Sequence, residues 1–88
     1  MRVVVVYKDF TDYAREIESY LNDFKRFTGR ELETLDPDSK EGEIFCRAYD
    51  IVEYPSIVAV SDDGNLQQLW RGTPLPQINE VSYYLSQG

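Results

Sequence analysis

The sequence predicts a single α/β domain over residues 1–88, with elements in the order β-α-β-α-β-β-α and a four-stranded mixed sheet flanked by three helices. Three observations predict this class. Val3 to Val6 form an unbroken β-branched run, typical of a strand that is buried on both faces. Apolar residues then recur at helical spacing as far as Gly29. Later, Pro55 precedes a second apolar run, which ends in the hairpin turn Asp62-Asp63-Gly64-Asn65.

The composition narrows the class of partner. A chain of 88 residues supports one modest core, and its net charge is −7 with no histidine. An acidic surface argues against nucleic acid and anionic membranes as partners, because both require clusters of Lys and Arg. Solubility alone explains this acidity.

Three features predict a cytoplasmic location. The single cysteine, Cys46, excludes an intrachain disulfide and suits a reducing compartment. The first strand begins directly after Met1, without the basic segment and long apolar stretch of a signal peptide. The run from Arg2 to Tyr7 is too short to span a bilayer.

The first predicted unit is a buried strand followed by a helix. Val3 to Tyr7 form the strand, and Lys8, Asp9 and Phe10 form a loop. The helix is predicted from about Thr11 to a C-terminal cap at Gly29. Its apolar face consists of five residues: Ile17, Tyr20, Leu21, Phe24 and Phe27.

The second unit is a weaker strand followed by a second helix. Glu31 to Leu35 is charged on one side, which predicts an edge strand parallel to the first. Asp38, followed three residues later by Glu41, predicts the N-terminal cap of the helix. The predicted apolar face of this helix contains Ile44, Phe45, Ala48, Tyr49 and Val52.

The last unit is a hairpin followed by a third helix. The predicted strands are Ser56 to Val60 and Leu66 to Trp70. Pro76 suits the first turn of the helix, because proline lacks the N–H that this turn leaves unpaired. The residues predicted to face the sheet from this helix are Ile78, Val81, Tyr84 and Leu85.

The run from Tyr49 to Ile57 resembles the segment of thioredoxins and glutaredoxins that carries a cis-proline. Pro55 stands at the position of that proline, and Asp63-Gly64 followed by a strand ending at Gly72 continues the pattern. The resemblance covers essentially the whole chain and implies a thioredoxin-like fold.

The same resemblance places a Cys-x-x-Cys motif after the first strand, and this chain lacks it. Thr11, Asp12, Tyr13 and Ala14 occupy the motif, with Thr11 and Ala14 at the two cysteine positions. Shifting the motif by one residue, as in DsbA-like relatives, gives Asp12 and Arg15 instead. Disulfide exchange requires a nucleophilic thiolate and a resolving thiol. We therefore predict no catalytic residue here, and Thr11 is interpreted as a helix cap.

Two other features suggest chemistry but have simpler interpretations. Cys46 lies among apolar residues of the second helix, so we interpret it as a core residue; in the family, this helix packs away from the redox loop. A reactive thiol at Cys46 is the alternative. The acidic residues Asp36, Asp38, Glu41 and Glu43 do not match a calcium loop, and Asp62 and Asp63 are turn residues. No metal or cofactor is predicted.

The resemblance implies a binding site for an extended peptide or glutathione beside the proline. The predicted site, which we call the Pro55 groove, consists of Phe10, Tyr13, Tyr54, Pro55 and Ser56. Backbone pairing at a strand edge gives affinity without catalytic residues. Packing of the loop is the alternative interpretation of the two tyrosines, and Trp70 is interpreted as core or as half-exposed cover of the core rather than as a binding anchor.

Three functions are compatible with these features. The first is a non-catalytic thioredoxin-like domain that binds an unidentified protein or peptide, as a monomer or weak dimer. The second is a thiol-disulfide oxidoreductase relative, either a monothiol protein using Cys46 or a glutathione-linked one. The third is an oligomerising domain that self-associates through the edge strand at Glu31 to Leu35.

Overall fold

The computed structural model describes residues 1–86, and the last two residues of the predicted domain, 87 and 88, lie outside this range. The predicted order of elements is confirmed: β1 (Arg2–Val6), α1 (Ala14–Thr28), β2 (Glu33–Leu35), α2 (Lys40–Tyr49), β3 (Ser56–Val60), β4 (Leu66–Arg71) and α3 (Ile78–Leu85). The four strands form one mixed sheet in the order β2-β1-β3-β4. β1 is parallel to β2 and antiparallel to β3, and β3 is antiparallel to β4.

The sheet separates two apolar layers. Val4 and Val6 of β1 face a cluster that contains Phe45 and Cys46 of α2. Val3 and Val5 face the opposite cluster, formed mainly by residues of α1 and α3. Because both faces are covered, β1 carries apolar side chains at consecutive positions instead of alternating with polar ones.

The first helix differs from the prediction at both its start and its apolar face. α1 begins at Ala14, after the cap residue Tyr13, and no side chain caps it. Phe27, predicted to be core, is 69% exposed. At 100° per residue, Phe27 lies in line with Tyr20 and well to one side of the buried Ile17. It therefore belongs to a second, outward-facing stripe of the helix.

The second helix also differs from the prediction. Its cap is Ser39 rather than Asp38, and the Ser39 hydroxyl accepts the N–H of Gly42 at 3.0 Å. Ile44 and Ala48, predicted to face the core, are exposed, and so is Val52, which lies beyond the end of α2 at Tyr49. The buried residues of α2 are instead Gly42, Phe45 and Cys46. The helix turns this stripe inward because Gly42 lies directly against the carbonyl of Asp36, where a larger residue has no space.

Smaller differences concern the ends of elements. β2 is shorter than the predicted Glu31–Leu35 segment, because only Glu33 to Leu35 pair with β1. Pro76 lies before the α3 cap residue Gln77, so it is outside the first turn. Within residues 1–86, every helix is too short or too polar to traverse a lipid bilayer.

Candidate functional site

The residues of the predicted Pro55 groove lie in or beside two loops that meet at one end of the sheet. Val6, the last residue of β1, pairs with Ser56, the first residue of β3. This register brings the loop after β1, residues 7–13, beside the loop before β3, residues 50–55. Contact between them is direct, since the Lys8 ammonium lies 5.5 Å from the centre of the Tyr54 ring. Residues that are more than 40 positions apart in the chain thus share one site.

The second loop is anchored around Pro55. The Tyr54–Pro55 peptide bond is cis, as is that between Thr73 and Pro74. Pro55 is buried, and its carbonyl accepts the N–H of Gly72 at 2.7 Å. Ser56 is 1% exposed, and its hydroxyl donates to the carbonyl of Glu53 at 2.5 Å. Both residues are therefore held by contacts within the fold.

Tyr54 differs from Pro55 and Ser56 because its backbone groups form no hydrogen bond within the described residues. Within residues 1–86, no hydrogen bond uses the Tyr54 N–H or carbonyl. Its hydroxyl donates to the carbonyl of Ile51 at 3.4 Å. An unpaired N–H and carbonyl beside a strand are the groups that pair with an added strand.

Thr11 and Tyr13, two of the residues that the resemblance places at the Cys-x-x-Cys positions, make local hydrogen bonds. The Thr11 hydroxyl donates to the Lys8 carbonyl at 2.8 Å, and the Lys8 N–H donates to the Tyr13 hydroxyl at 3.1 Å. Thr11 therefore does not cap α1, and that prediction is wrong: its side chain closes the preceding turn instead. Ala14 is buried, whereas Asp12 and Arg15 are exposed. Neither register of the motif presents a group that attacks a disulfide.

Phe10 is the most exposed large apolar side chain of the site. Its side chain is entirely accessible to solvent, and its backbone has a φ of 61°. Left-handed backbone is uncommon for an aromatic residue and is held in place by the surrounding structure. The loop after β1 therefore projects an aromatic ring into solvent at this end of the sheet.

Cys46 lies close to the loop that carries Tyr54, although the family resemblance implied that its helix packs away from the redox loop. It is a buried residue of α2, and Tyr54 packs against the same cluster. Burial raises the pKa of the Cys46 thiol, and the nearby Tyr54 hydroxyl offsets only part of this effect. The thiol is thus beside the Pro55 groove but is neither accessible nor acidic.

Asp36 and Asp63 accept hydrogen bonds within turns, and Trp70 packs against α3. Asp36 accepts the N–H of Asp38 at 2.9 Å, which closes the turn before α2. Asp63 accepts the Ser61 hydroxyl in the β3–β4 turn. Trp70 packs edge-to-face on Tyr84 of α3, with ring centres 5.4 Å apart. Within the described part of the chain, no three acidic or cysteine residues converge as a metal site would require.

Sequence reasoning missed two residues that organise the site. Lys8 connects the two loops, since its ammonium lies over Tyr54 and 3.6 Å from the Asp38 carboxylate. Gly72 adopts a φ of 65° and donates its N–H to Pro55. The glycine was recognisable as the end of β4. The role of Lys8 depends on the β1–β3 register, for which the sequence has no local signal.

Comparison with known proteins identifies the fold. No protein-family model and no curated protein sequence matches the chain. Thioredoxin 1 from Thermosipho africanus matches 99% of this chain and 92% of its own, with a TM-score of 0.64 and 10% identity. The C-terminal domain of Neisseria meningitidis DsbD in the reduced form matches 97% of this chain and 78% of its own, with a TM-score of 0.67 and 18% identity.

A third similar structure is a thioredoxin from Thermus thermophilus, which covers 97% of this chain and 70% of its own at a TM-score of 0.55 and 17% identity. At these identities the similarity concerns architecture. The chain therefore has a thioredoxin-like fold, as the resemblance at Tyr49 to Ile57 implied.

Proposed function

We propose that this chain is a non-catalytic thioredoxin-like domain that binds an extended segment of a protein or peptide at the Pro55 groove. The observation that carries the proposal is the free backbone of Tyr54 beside the buried Pro55. Main-chain pairing to one residue supplies affinity that does not depend on a thiol. Phe10 adds an exposed aromatic anchor of the kind enriched at interfaces.

The absence of catalysis follows from the chemistry of the motif residues. The Thr11 hydroxyl donates its proton to the Lys8 carbonyl, and the chain contains no histidine that could activate it. The only thiol, on Cys46, is buried and has a raised pKa, so it is a poor nucleophile at neutral pH. Both observations support the proposal that the chain performs no thiol-disulfide exchange.

Selection of peptides from a random display library on the immobilised chain tests the proposal. We expect enriched peptides to shift the amide resonances of Tyr54 and Phe10. N-methylation of alternate backbone amides of such a peptide should abolish binding, because it removes the pairing donors. Phe10→Ala should weaken binding roughly tenfold, as expected for an aromatic anchor.

Phe27→Ala provides the matched control, since Phe27 is also an exposed phenylalanine but lies on α1 away from the groove. It should leave the affinity unchanged. The binding proposal fails if no enriched peptide shifts the resonances of Tyr54 and Phe10, or if the peptides that do so bind independently of their backbone amides. Thiol-dependent reduction of insulin above the buffer rate contradicts the non-catalytic part.

A further inference from the structure

The margin of the sheet at β4 carries main-chain groups that no strand within residues 1–86 pairs. β4 is the last strand in the order β2-β1-β3-β4, so it has a neighbouring strand only on its β3 side. We call its other side, along Leu66–Arg71, the β4 edge. This edge is distinct from the Pro55 groove, which precedes the interior strand β3.

The ladder between β3 and β4 shows which main-chain groups of β4 point outward. The Gly72 N–H donates to the Pro55 carbonyl at 2.7 Å, so the main-chain groups of Gly72 point towards β3. This direction alternates along an antiparallel strand, so Trp70 also points inward, whereas Leu69 and Arg71 point away. Leu69 and Arg71 therefore offer donors and acceptors that can pair with an added strand.

A side-chain contact of Leu69 agrees with this orientation. The Leu69 N–H donates to the side-chain oxygen of Gln68 at 3.0 Å instead of to β3. The Gln68 side chain is exposed and lies 3.5 Å from the Tyr84 hydroxyl. A hydrogen bond of this kind contributes little net free energy in contact with water, so the carbonyl of an incoming strand can replace it.

The opposite margin of the sheet is protected against strand pairing, whereas β4 is not. Only Glu33 to Leu35 of β2 pair with β1, and Arg2 lies 2.6 Å from the Glu33 carboxylate. Short and charged edge strands oppose association between sheets. β4 has six residues without proline, its charged residue is Arg71, and the register shift beside Val60 affects only its start. The sheet can therefore be extended at β4.

The distribution of charge along β4 favours a second copy of this chain as the added strand. β4 follows the acidic turn Asp62-Asp63 and ends at Arg71, so the two ends of the strand carry opposite charge. An antiparallel second copy reverses this order and brings each Arg71 towards the acidic turn of the other copy. The side chains from Leu66 to Trp70 are uncharged, so they meet without repulsion although each copy has a net charge of −7.

We infer that two copies of this chain pair through their β4 edges, antiparallel and about a twofold axis, into one sheet with four strands from each copy. A twofold contact uses the same surface of both copies, so it closes as a dimer. The remaining margins of this sheet are the short, charged β2 strands, which oppose further growth. The dimer does not depend on the proposed peptide binding.

Sedimentation velocity and amide hydrogen exchange test the inference with the unmodified chain, from micromolar to millimolar concentration. We expect sedimentation to show a dimer that forms as the concentration rises. The outward N–H groups of Leu69 and Arg71 should then exchange about tenfold more slowly or less. The inward N–H of Trp70, which is paired with β3, should be protected at every concentration.

A pair of lysine substitutions locates the contact. Gln68→Lys places a lysine on the β4 edge, where it opposes strand pairing, and should weaken dimerisation at least about tenfold. Thr34→Lys is the matched control, since it adds the same charge at an exposed position of the other edge strand, β2. It should leave the dimer unchanged. Circular dichroism verifies that both variants are folded.

A second pair of substitutions tests the charge pairing. Arg71→Glu replaces attraction to the acidic turn of the other copy with repulsion and should weaken dimerisation roughly fivefold. Arg15→Glu makes the same change of charge at an exposed position of α1 and should have no such effect. Equal weakening in both variants would mean that net charge alone governs association, and the antiparallel charge pairing would be wrong.

Several other results overturn the inference. A chain that stays monomeric at millimolar concentration has no β4 dimer. A dimer that Gln68→Lys leaves intact, or that Thr34→Lys abolishes, has its contact elsewhere. Peptides from a display library that protect the Leu69 and Arg71 N–H groups of a monomeric chain would identify an extended segment of another protein as the occupant.

Discussion

Tyr20 and Tyr49 are both partly buried tyrosines, but only one of them has a hydrogen-bond partner for its hydroxyl. The Tyr49 hydroxyl donates to the Gly64 carbonyl at 2.8 Å and ties α2 to the β3–β4 turn. The Tyr20 hydroxyl is buried against α3 and has no partner within residues 1–86. Burial, together with the nearby Glu80 carboxylate, raises the pKa of Tyr20 to about 12. The hydroxyl is therefore neutral and desolvated over the whole physiological range.

We predict that Tyr20→Phe raises the free energy of unfolding by about 1 kcal/mol, because it removes a polar group that lost water without gaining a bond. Tyr49→Phe makes the same chemical change where the bond exists and should lower the free energy of unfolding by about 1 kcal/mol. Urea unfolding at pH 7 measures both. Equal losses in the two variants mean that the Tyr20 hydroxyl is bonded, and the prediction fails.

The Cys46 thiol gives a second residue-scale prediction. Its raised pKa means that less thiolate is present at pH 8 than in a free cysteine, and burial excludes the reagent as well. Alkylation by iodoacetamide should be more than about tenfold slower in the folded chain than in urea. Its rate should rise only above the ordinary thiol pKa. A fast folded rate with an inflection below that pKa makes Cys46 the candidate redox residue.

At the scale of elements, the sequence predicted which segments are helices and strands better than it predicted their faces. Phe27 and Ile44 are large apolar residues at acceptable helical spacing, yet both are exposed. Periodicity marks a stripe of about 100° and does not decide between two adjacent stripes. On α2 the decision rests on Gly42, which allows close contact with Asp36, and that contact is tertiary.

The contact of Gly42 with Asp36 therefore reverses the effect that a glycine-to-alanine change usually has on the free energy of unfolding. Replacing glycine by alanine inside a helix normally stabilises it by about 1 kcal/mol. Here the added Cβ overlaps the Asp36 carbonyl, which is backbone and cannot move aside cheaply. Gly42→Ala should lower the free energy of unfolding by more than about 1 kcal/mol, as overpacking does.

The control for Gly42→Ala is Ala48→Gly, at an exposed position of the same helix. Only helix propensity changes at this position, so Ala48→Gly should lower the free energy of unfolding by about 1 kcal/mol. Urea unfolding compares both variants with the parent chain. A gain of stability in Gly42→Ala shows that α2 moves away from Asp36 without loss, contrary to the observed packing.

At the scale of the whole molecule, the sheet decides which residues form a site. The β1–β3 register places Phe10 and Tyr54 at one end, and the resemblance at Pro55 predicted both of them. The contact of Lys8 with Tyr54 was not predicted, because it joins two segments that no local pattern relates. Fold class follows from local patterns and their order, whereas the surfaces depend on how the layers pack.

Net charge gives the last prediction, in which two electrostatic effects oppose each other. The ion pairs within residues 1–86 are exposed, for example Arg2–Glu33 and Lys25–Glu31, and pairs of this kind contribute little. The Cα radius of gyration is 12.1 Å, so at low salt most of the acidic side chains repel one another across the molecule. Screening should therefore remove more repulsion than attraction. We expect the free energy of unfolding to rise by on the order of 1 kcal/mol between about 0.01 M and 0.5 M NaCl.

A variant with fewer acidic residues separates this repulsion from a general effect of salt. Glu16→Lys combined with Glu18→Lys changes the net charge from −7 to −3, and both positions are exposed. With less repulsion to screen, the rise in stability with NaCl should shrink to less than about half of that in the parent chain. Urea unfolding at both salt concentrations measures the difference. If the parent chain loses stability with salt, the surface ion pairs outweigh the net charge; if both proteins gain equally, NaCl acts through hydration rather than through charge.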